Sequence, residues 1–161
     1  MYQHNIEQSK VVPYKPSQPA ARRGRTQKRI LIVEDEPVLA FEYARIMREA
    51  GMSVVGPTSS MLAALERIGD GGIDGAVLDV SLQGVLVIPV AAALAAHKIP
   101  FFFLSGLPRA SVCPYQHIHF VVKPVTAARL LAAARLVFYP SEGSKGVDDG
   151  RPELPTGTSL T

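Results

Sequence analysis

Gly75-Ala76-Val77-Leu78-Asp79-Val80-Ser81-Leu82 is the stretch from which the fold can be read: a short apolar run with one carboxylate near its end. A strand buried on both faces of a parallel sheet is a near-continuous Val/Leu run, so a carboxylate in it must lie at the strand's exit or be strongly compensated. Asp79 is assigned to the exit. Three other apolar runs also end in polar chemistry: Ile30-Leu31-Ile32-Val33 into Glu34-Asp35-Glu36, Phe101-Phe102-Phe103-Leu104 into Ser105, and Phe120-Val121-Val122 into Lys123. In an open α/β sheet the strand carboxyl ends line one crevice. An acid pair, Asp79, a hydroxyl and a lysine are therefore expected to meet there.

Between these runs the pattern turns helical. Pro37 to Ala50 starts with a proline suited to a first helical turn and stops before Gly51, with Leu39, Tyr43, Ile46, Met47 and Ala50 on one face. A short strand, Ser53 to Gly56, and a helix from about Ser60 to Ile68 follow, before the Gly69-Asp70-Gly71-Gly72 turn. A third helix spans roughly Ile88 to His97. Prolines at 108 and 114 leave room for only a turn or two of helix after the fourth strand. Following a fifth strand at about His119–Val122, a last helix begins after Pro124, capped by Thr126, with Leu130, Leu131, Ala134, Val137 and Phe138 buried. Alternating strands and helices predict an α/β domain with a doubly wound parallel sheet of five strands and a short or degenerate fourth helix.

Length and composition agree with one domain: 161 residues, 47% of them hydrophobic, can bury a core, whereas two domains would be cramped. No apolar stretch has the length of a membrane span, and the N-terminus lacks a signal-peptide apolar region, so a soluble, cytoplasmic protein without a membrane partner is expected. Cys113 stands alone, which excludes an intramolecular disulfide, and it is read as an unreactive core or loop residue. The net charge of +3 is unevenly spread: residues 1–29 hold +6, residues 30–139 hold −1 and residues 140–161 hold −2. The basicity belongs to the leader. Residues 1–28 and 140–161, with Pro, Ser, Gln or Gly and no sustained apolar period, are expected to be disordered tails around a domain at 29–139. Arg22-Arg23-Gly24-Arg25 has no interleaved aromatic to stack on bases, so nucleic acid is not an expected partner.

With these residues in order, Leu31-Ile32-Val33-Glu34-Asp35-Glu36-Pro37, Val77-Leu78-Asp79-Val80-Ser81-Leu82, Phe103-Leu104-Ser105-Gly106 and Val122-Lys123-Pro124, the chain resembles the receiver domain of bacterial two-component response regulators. Each motif is weak alone; four in order, each at a strand end, are specific. The resemblance implies the flavodoxin-like strand order 2-1-3-4-5 and an aspartyl phosphate formed on Asp79 with phosphate from a histidine kinase or phosphotransfer protein. It implies a Mg²⁺ site made by Glu34, Asp35, Asp79 and the Ser81 backbone carbonyl. Lys123 matches the phosphate-binding lysine and Ser105 the switch hydroxyl. Phe120 matches the switch aromatic, and the Ser81 and Gly106 backbone N–H groups match the phosphoryl cradle. Lys123-Pro124 is expected to be cis. Such a protein is a phosphoacceptor that assists its own phosphoryl transfer and dephosphorylation, not an enzyme acting on a separate substrate.

Within that family the chain resembles the stand-alone, single-domain receivers whose fourth strand is Pro-Phe-x-Phe-Ala-Thr-Gly-Tyr, from which Pro100 to Leu107 departs by Leu104, Ser105 and Leu107. The last places an apolar group two residues after the hydroxyl and predicts a longer-lived phosphoryl group. Residues 140–161 are too few and too polar for an output domain, so the output is expected to be an unknown downstream protein or a phosphate-sink role. Two alternatives remain open: a phosphorylation-independent receiver-like interaction module, and a nucleic-acid-associated protein using residues 22–29. Other polar residues have plainer readings. Tyr43 is core, His97 sits favourably near a helix end, and His117 and His119 face one side of a strand without a third metal ligand.

Overall fold

A computed structural model describes residues 27–112 and 114–140. Nearly all of the two expected tails, the basic cluster at 22–25 and Cys113 lie outside the described residues. The elements run β1 (Arg29–Val33), α1 (Pro37–Glu49), β2 (Ser53–Thr58), α2 (Met61–Asp70), β3 (Gly75–Asp79), β4 (Ser81–Leu82), β5 (Val85–Leu86), α3 (Ile88–Ala96), β6 (Phe101–Ser105), β7 (Phe120–Val122) and α4 (Ala127–Phe138). Five strands form one parallel sheet in the order β2-β1-β3-β6-β7, which is 2-1-3-4-5 when only sheet strands are counted. Among the described residues no helix is long and apolar enough to cross a membrane.

The two-residue period of each strand divides its side chains between two cores. Leu31, Val33, Ala76, Leu78, Phe101 and Phe103 face α2 and α3, where they meet Ala64, Ile68, Val90, Ala91 and Leu94. Ile30, Ile32, Val77, Phe102 and Leu104 face α1 and α4, where they meet Tyr43, Met47, Leu130, Ala134 and Phe138. Because both faces are covered, the strands can be apolar throughout. Thr126 caps α4, its hydroxyl accepting from the Arg129 N–H at 3.3 Å. Buried alanines complete the helix stripes: Ala40 and Ala44 are buried in α1, whereas Ala50 is exposed at its end and Leu39 is only half-buried. In α4, Ala133 is buried while Leu131 and Val137 are half-buried.

Four local features differ from expectation or sharpen it. β2 continues through Gly56 and Pro57 to Thr58 rather than ending at Gly56. It is an edge strand, where a missing N–H costs no ladder bond, and its register against β1 shifts between Leu31 and Val33. A hairpin of two-residue strands, β4 and β5, follows β3 and turns at Gln83-Gly84, both with positive φ (51° and 83°). In place of a fourth sheet-packing helix are two 3-10 turns, Arg109–Val112 and Tyr115–His117, as the spacing of Pro108 and Pro114 requires. Lys123-Pro124 is cis, as is Gly56-Pro57.

Gly75 shows how closely α4 approaches the sheet: a Cβ there would lie 2.5 Å from Phe138 Cε1. Phe138 is itself buried and packed at a tilt against Phe102, with ring centroids 5.5 Å apart, so its ring has little room to retreat. Gly75→Val is expected to destabilise the domain by about 1–3 kcal/mol through overpacking. Urea denaturation should show the loss, and Phe138→Leu in the same chain should recover part of it.

Candidate functional site

Parallel strands bring their carboxyl ends to one edge of the sheet, and the four apolar runs deliver their polar ends there. Glu34 and Asp35 follow β1, Asp79 ends β3, Ser105 ends β6 and Lys123 follows β7. Backbone bonds hold these exits in register: Lys123 N–H donates to the Ser105 carbonyl at 2.9 Å, Val80 N–H to Leu104 at 3.3 Å, and Glu34 N–H to Thr58 at 3.0 Å. β1 and β3 are neighbours although α2 and β2 lie between them in sequence, which places the acids at the switch point of the strand order.

At this edge Glu34, Asp35 and Asp79 each offer an oxygen, and these oxygens lie within 4.8 Å of one another. The Lys123 ammonium donates to Asp79 Oδ2 at 2.6 Å and to Glu34 Oε2 at 2.8 Å. Asp79 Oδ1 accepts from the Ser81 N–H at 3.3 Å, and Glu34 Oε1 from the Glu36 N–H at 3.2 Å. Asp35 is not paired with Lys123; its Oδ2 accepts from the Gln83 N–H at 2.7 Å. Ser105 is buried, and its hydroxyl accepts from the Leu107 N–H at 2.8 Å, which leaves its own proton free to donate. The space beside Gly106 is open, with no atom within 4 Å of where a Cβ would stand.

Phe120 sits at the start of β7, half-buried, with its ring centroid 6.4 Å from that of Phe103. Sequence reasoning missed the residue that covers it. The Arg109 guanidinium lies 5.1 Å from the Phe120 ring centroid and is held by the carbonyls of Gln116 and Ile118 at 2.7 and 2.8 Å. Nothing in the sequence near Arg109 signals this stacking. His119 lies against Phe102 at 6.3 Å, and His97 Nδ1 meets the Ala93 carbonyl at the end of α3. Among the described residues the one acid, His or Cys cluster able to hold a metal is Glu34, Asp35 and Asp79.

Three carboxylates and one ammonium leave this edge with a formal charge of −2. At 4 Å and an effective dielectric near 20, each like-charged pair repels by about 4 kcal/mol before solvent and Lys123 offset it. A hard divalent cation matches both the oxygen donors and the charge, so the residues fit a Mg²⁺ site. Burial pushes the Glu34 carboxyl above its ordinary value of 4.5; the Lys123 hydrogen bond opposes this and the Asp79 charge reinforces it. Burial pulls the Lys123 ammonium down, but hydrogen bonds and attraction from Asp79 and Glu34 outweigh it and raise Lys123 above 10.5. A carboxyl raised on folding contributes stability that is present below pH 4.5 and lost as pH rises through its folded value. In chelator, Glu34→Gln is therefore expected to melt higher than the parent at pH 8, with the difference shrinking as pH falls toward 4.5. Thermal melts across that range check the sign.

Comparison with known proteins agrees with this geometry. The sequence matches the response regulator receiver domain over residues 30–135. The structure is similar to the solution structure of SdrG from Sphingomonas melonis Fr1, at 39% identity and TM-score 0.60, over 66% of this chain and 92% of that one. It is also similar to the BeF3-activated conformation of SdrG from Pseudomonas melonis Fr1, at 42% identity and TM-score 0.56, over 65% of this chain and 93% of that one. A third likeness, response regulator TrrA from Thermotoga maritima in complex with Mg(2+)-BeF, has 23% identity and TM-score 0.61 over 68% and 98% of the chains; it carries the fold alone. No curated protein matches the sequence. A receiver is a phosphoacceptor regulatory module whose phosphodonor is a histidine kinase, and this one carries the acidic cluster Glu34, Asp35 and Asp79. With its sheet order, its acid–lysine edge and a family match over most of its length, the chain belongs to the response regulator receiver domain family.

Proposed function

We propose that this chain is a cytoplasmic single-domain response regulator that accepts a phosphoryl group on Asp79 from a histidine kinase or a phosphotransfer protein. Its output would be a protein–protein contact or the drainage of phosphate from a relay. The observation that carries this reading is the setting of Asp79: one oxygen 2.6 Å from the Lys123 ammonium, the other 3.3 Å from the Ser81 N–H, with two further carboxylates beside it. A carboxylate paired in this way at the open edge of the sheet is the kind of oxygen nucleophile that attacks phosphorus.

In the reaction an Asp79 oxygen attacks the phosphorus of the donor phosphohistidine. The new P–O bond forms as the N–P bond breaks, and the imidazole leaves with a proton. Glu34, Asp35, Asp79 and the Ser81 carbonyl are the proposed Mg²⁺ ligands. Bound there, the cation supplies positive charge against the acids and the incoming phosphoryl oxygens. Lys123, paired with Asp79, is the proposed partner of one phosphoryl oxygen, and the Ser81 and Gly106 N–H groups are the proposed donors to the others. Ser105 has its proton available to donate to the new phosphate, and Phe120, in contact with Phe103 and Arg109, is the proposed aromatic partner of that switch. Leu107, whose N–H engages the Ser105 hydroxyl, is the residue to which a long-lived phosphoryl group is ascribed.

Incubation with a small phosphodonor and Mg²⁺ is expected to add one phosphoryl group, seen by intact mass, and Asp79→Asn is expected to remove it. Lys123→Ala should lower the rate of adduct formation by a factor of about 10²–10³ while leaving the domain folded, the scale on which a lost charge stabiliser acts. A failure of the parent chain to form the adduct, with a panel of kinases as well, would favour a phosphorylation-independent docking module. An adduct lost within seconds would contradict the role given to Leu107.

A further inference from the structure

Asp35 differs from its two acidic neighbours in what holds it. Glu34 and Asp79 share the Lys123 ammonium, whereas the hydrogen bond given to Asp35 comes from the Gln83 backbone N–H, 48 residues away, at 2.7 Å. That donor sits at the tip of the β4–β5 hairpin. The hairpin stands on buried Val80, Leu82 and Val87, and the Val87 N–H closes it onto the Val80 carbonyl at 3.0 Å. Its turn is of the tight two-residue kind that requires positive φ at both central positions. Gln83 adopts φ +51° there although it is not glycine, a conformation that needs local compensation. A short hydrogen bond to an ionised acceptor supplies it.

We infer that the Gln83-Gly84 turn is a positioning element for the cation site: its backbone N–H takes Asp35 Oδ2 and so fixes the direction in which Oδ1 is offered. The inference rests on Asp35 being a cation ligand, as proposed above. Asp35 lies on the short loop between β1 and α1, half-buried, among carboxylates that repel it. Without the clamp, electrostatics would turn it toward solvent. With it, one oxygen is neutralised by a fixed dipole and the other is left for metal, the arrangement by which outer groups orient a ligand. The donor belongs to the backbone, so the side chain of Gln83 is free to vary while its N–H is not.

Replacing the residue 82–83 amide by an ester, through an α-hydroxy acid at position 83, removes this donor without altering the turn's steric demands. Mg²⁺ affinity, measured by calorimetry, is expected to fall by a factor of about 10–100 in the ester chain. It should stay within about twofold in Gln83→Gly, which keeps the donor and suits the positive φ. In the cation-free protein, hydrogen exchange at the Gln83 amide is expected to quicken at least about tenfold in Asp35→Ala, with exchange in β3 unchanged. Equal Mg²⁺ affinity in parent and ester chains, or a Gln83 amide whose exchange ignores Asp35, would overturn the inference. If the parent itself binds no Mg²⁺, the reading of Asp35 as a ligand fails, and the inference falls with it.

Discussion

Three carboxylates whose oxygens lie within 4.8 Å of one another repel, and positive charge held beside them offsets that repulsion. In this protein Lys123 supplies part of it. The lysine stands at the exit of β7, two strands away from β3 and three from β1, and reaches back to both Asp79 and Glu34. Its place depends on the sheet order, because only a parallel sheet puts the exits of β1, β3, β6 and β7 on the same edge. The apolar strands in turn depend on α1 to α4 to cover both faces. Fold and site are thus one arrangement: a fully covered parallel sheet concentrates polar ends, and the polar ends are arranged around a deficit of positive charge. Lys123 fills that deficit only in part, and in the proposed function a divalent cation and a phosphoryl group would enter the same balance with opposite signs.

The segment between β6 and β7 shows a second consequence of local sequence. Pro108 and Pro114 forbid a regular fourth helix, and the chain spans this region in two 3-10 turns. Where a helix would have packed, Arg109 folds back onto the Phe120 ring and caps two carbonyls. A cation–π contact at a partly exposed site contributes about 0.5–1 kcal/mol, small enough for a phosphate-driven rearrangement to break. Phe120 is therefore held by contacts of modest strength between a buried phenylalanine and an exposed arginine.

Much of this arrangement is legible in the amino-acid sequence. Continuous apolar runs mark the parallel strands because burial on both faces removes alternation, and the polar residue ending each run marks the site edge. The degenerate fourth helix follows from proline spacing alone. Other features carry too weak a signal. Strands of two residues, such as Ser81–Leu82 and Val85–Leu86, are too short for any period to register. Gly56-Pro57 reads as a breaker, yet an edge strand tolerates it and β2 runs on to Thr58. Alanines 40, 44 and 133 fill helix–sheet contacts that a count of large apolar residues assigns to Leu39, Ala50 and Leu131. Arg109 and the Gln83 N–H act through space on residues distant from them along the chain, and no local pattern announces either.

If the proposed function holds, cation and phosphoryl oxygen answer the same charge arrangement, and each should need the other. Titrating beryllofluoride, a phosphoryl mimic, into the protein with and without Mg²⁺ while following backbone amides by NMR tests this most directly. Saturable binding that requires Mg²⁺, with the first and largest shifts at Ser81, Ser105, Gly106 and Lys123, is the expected result. Binding of Mg²⁺ with no response to beryllofluoride at those amides would contradict it.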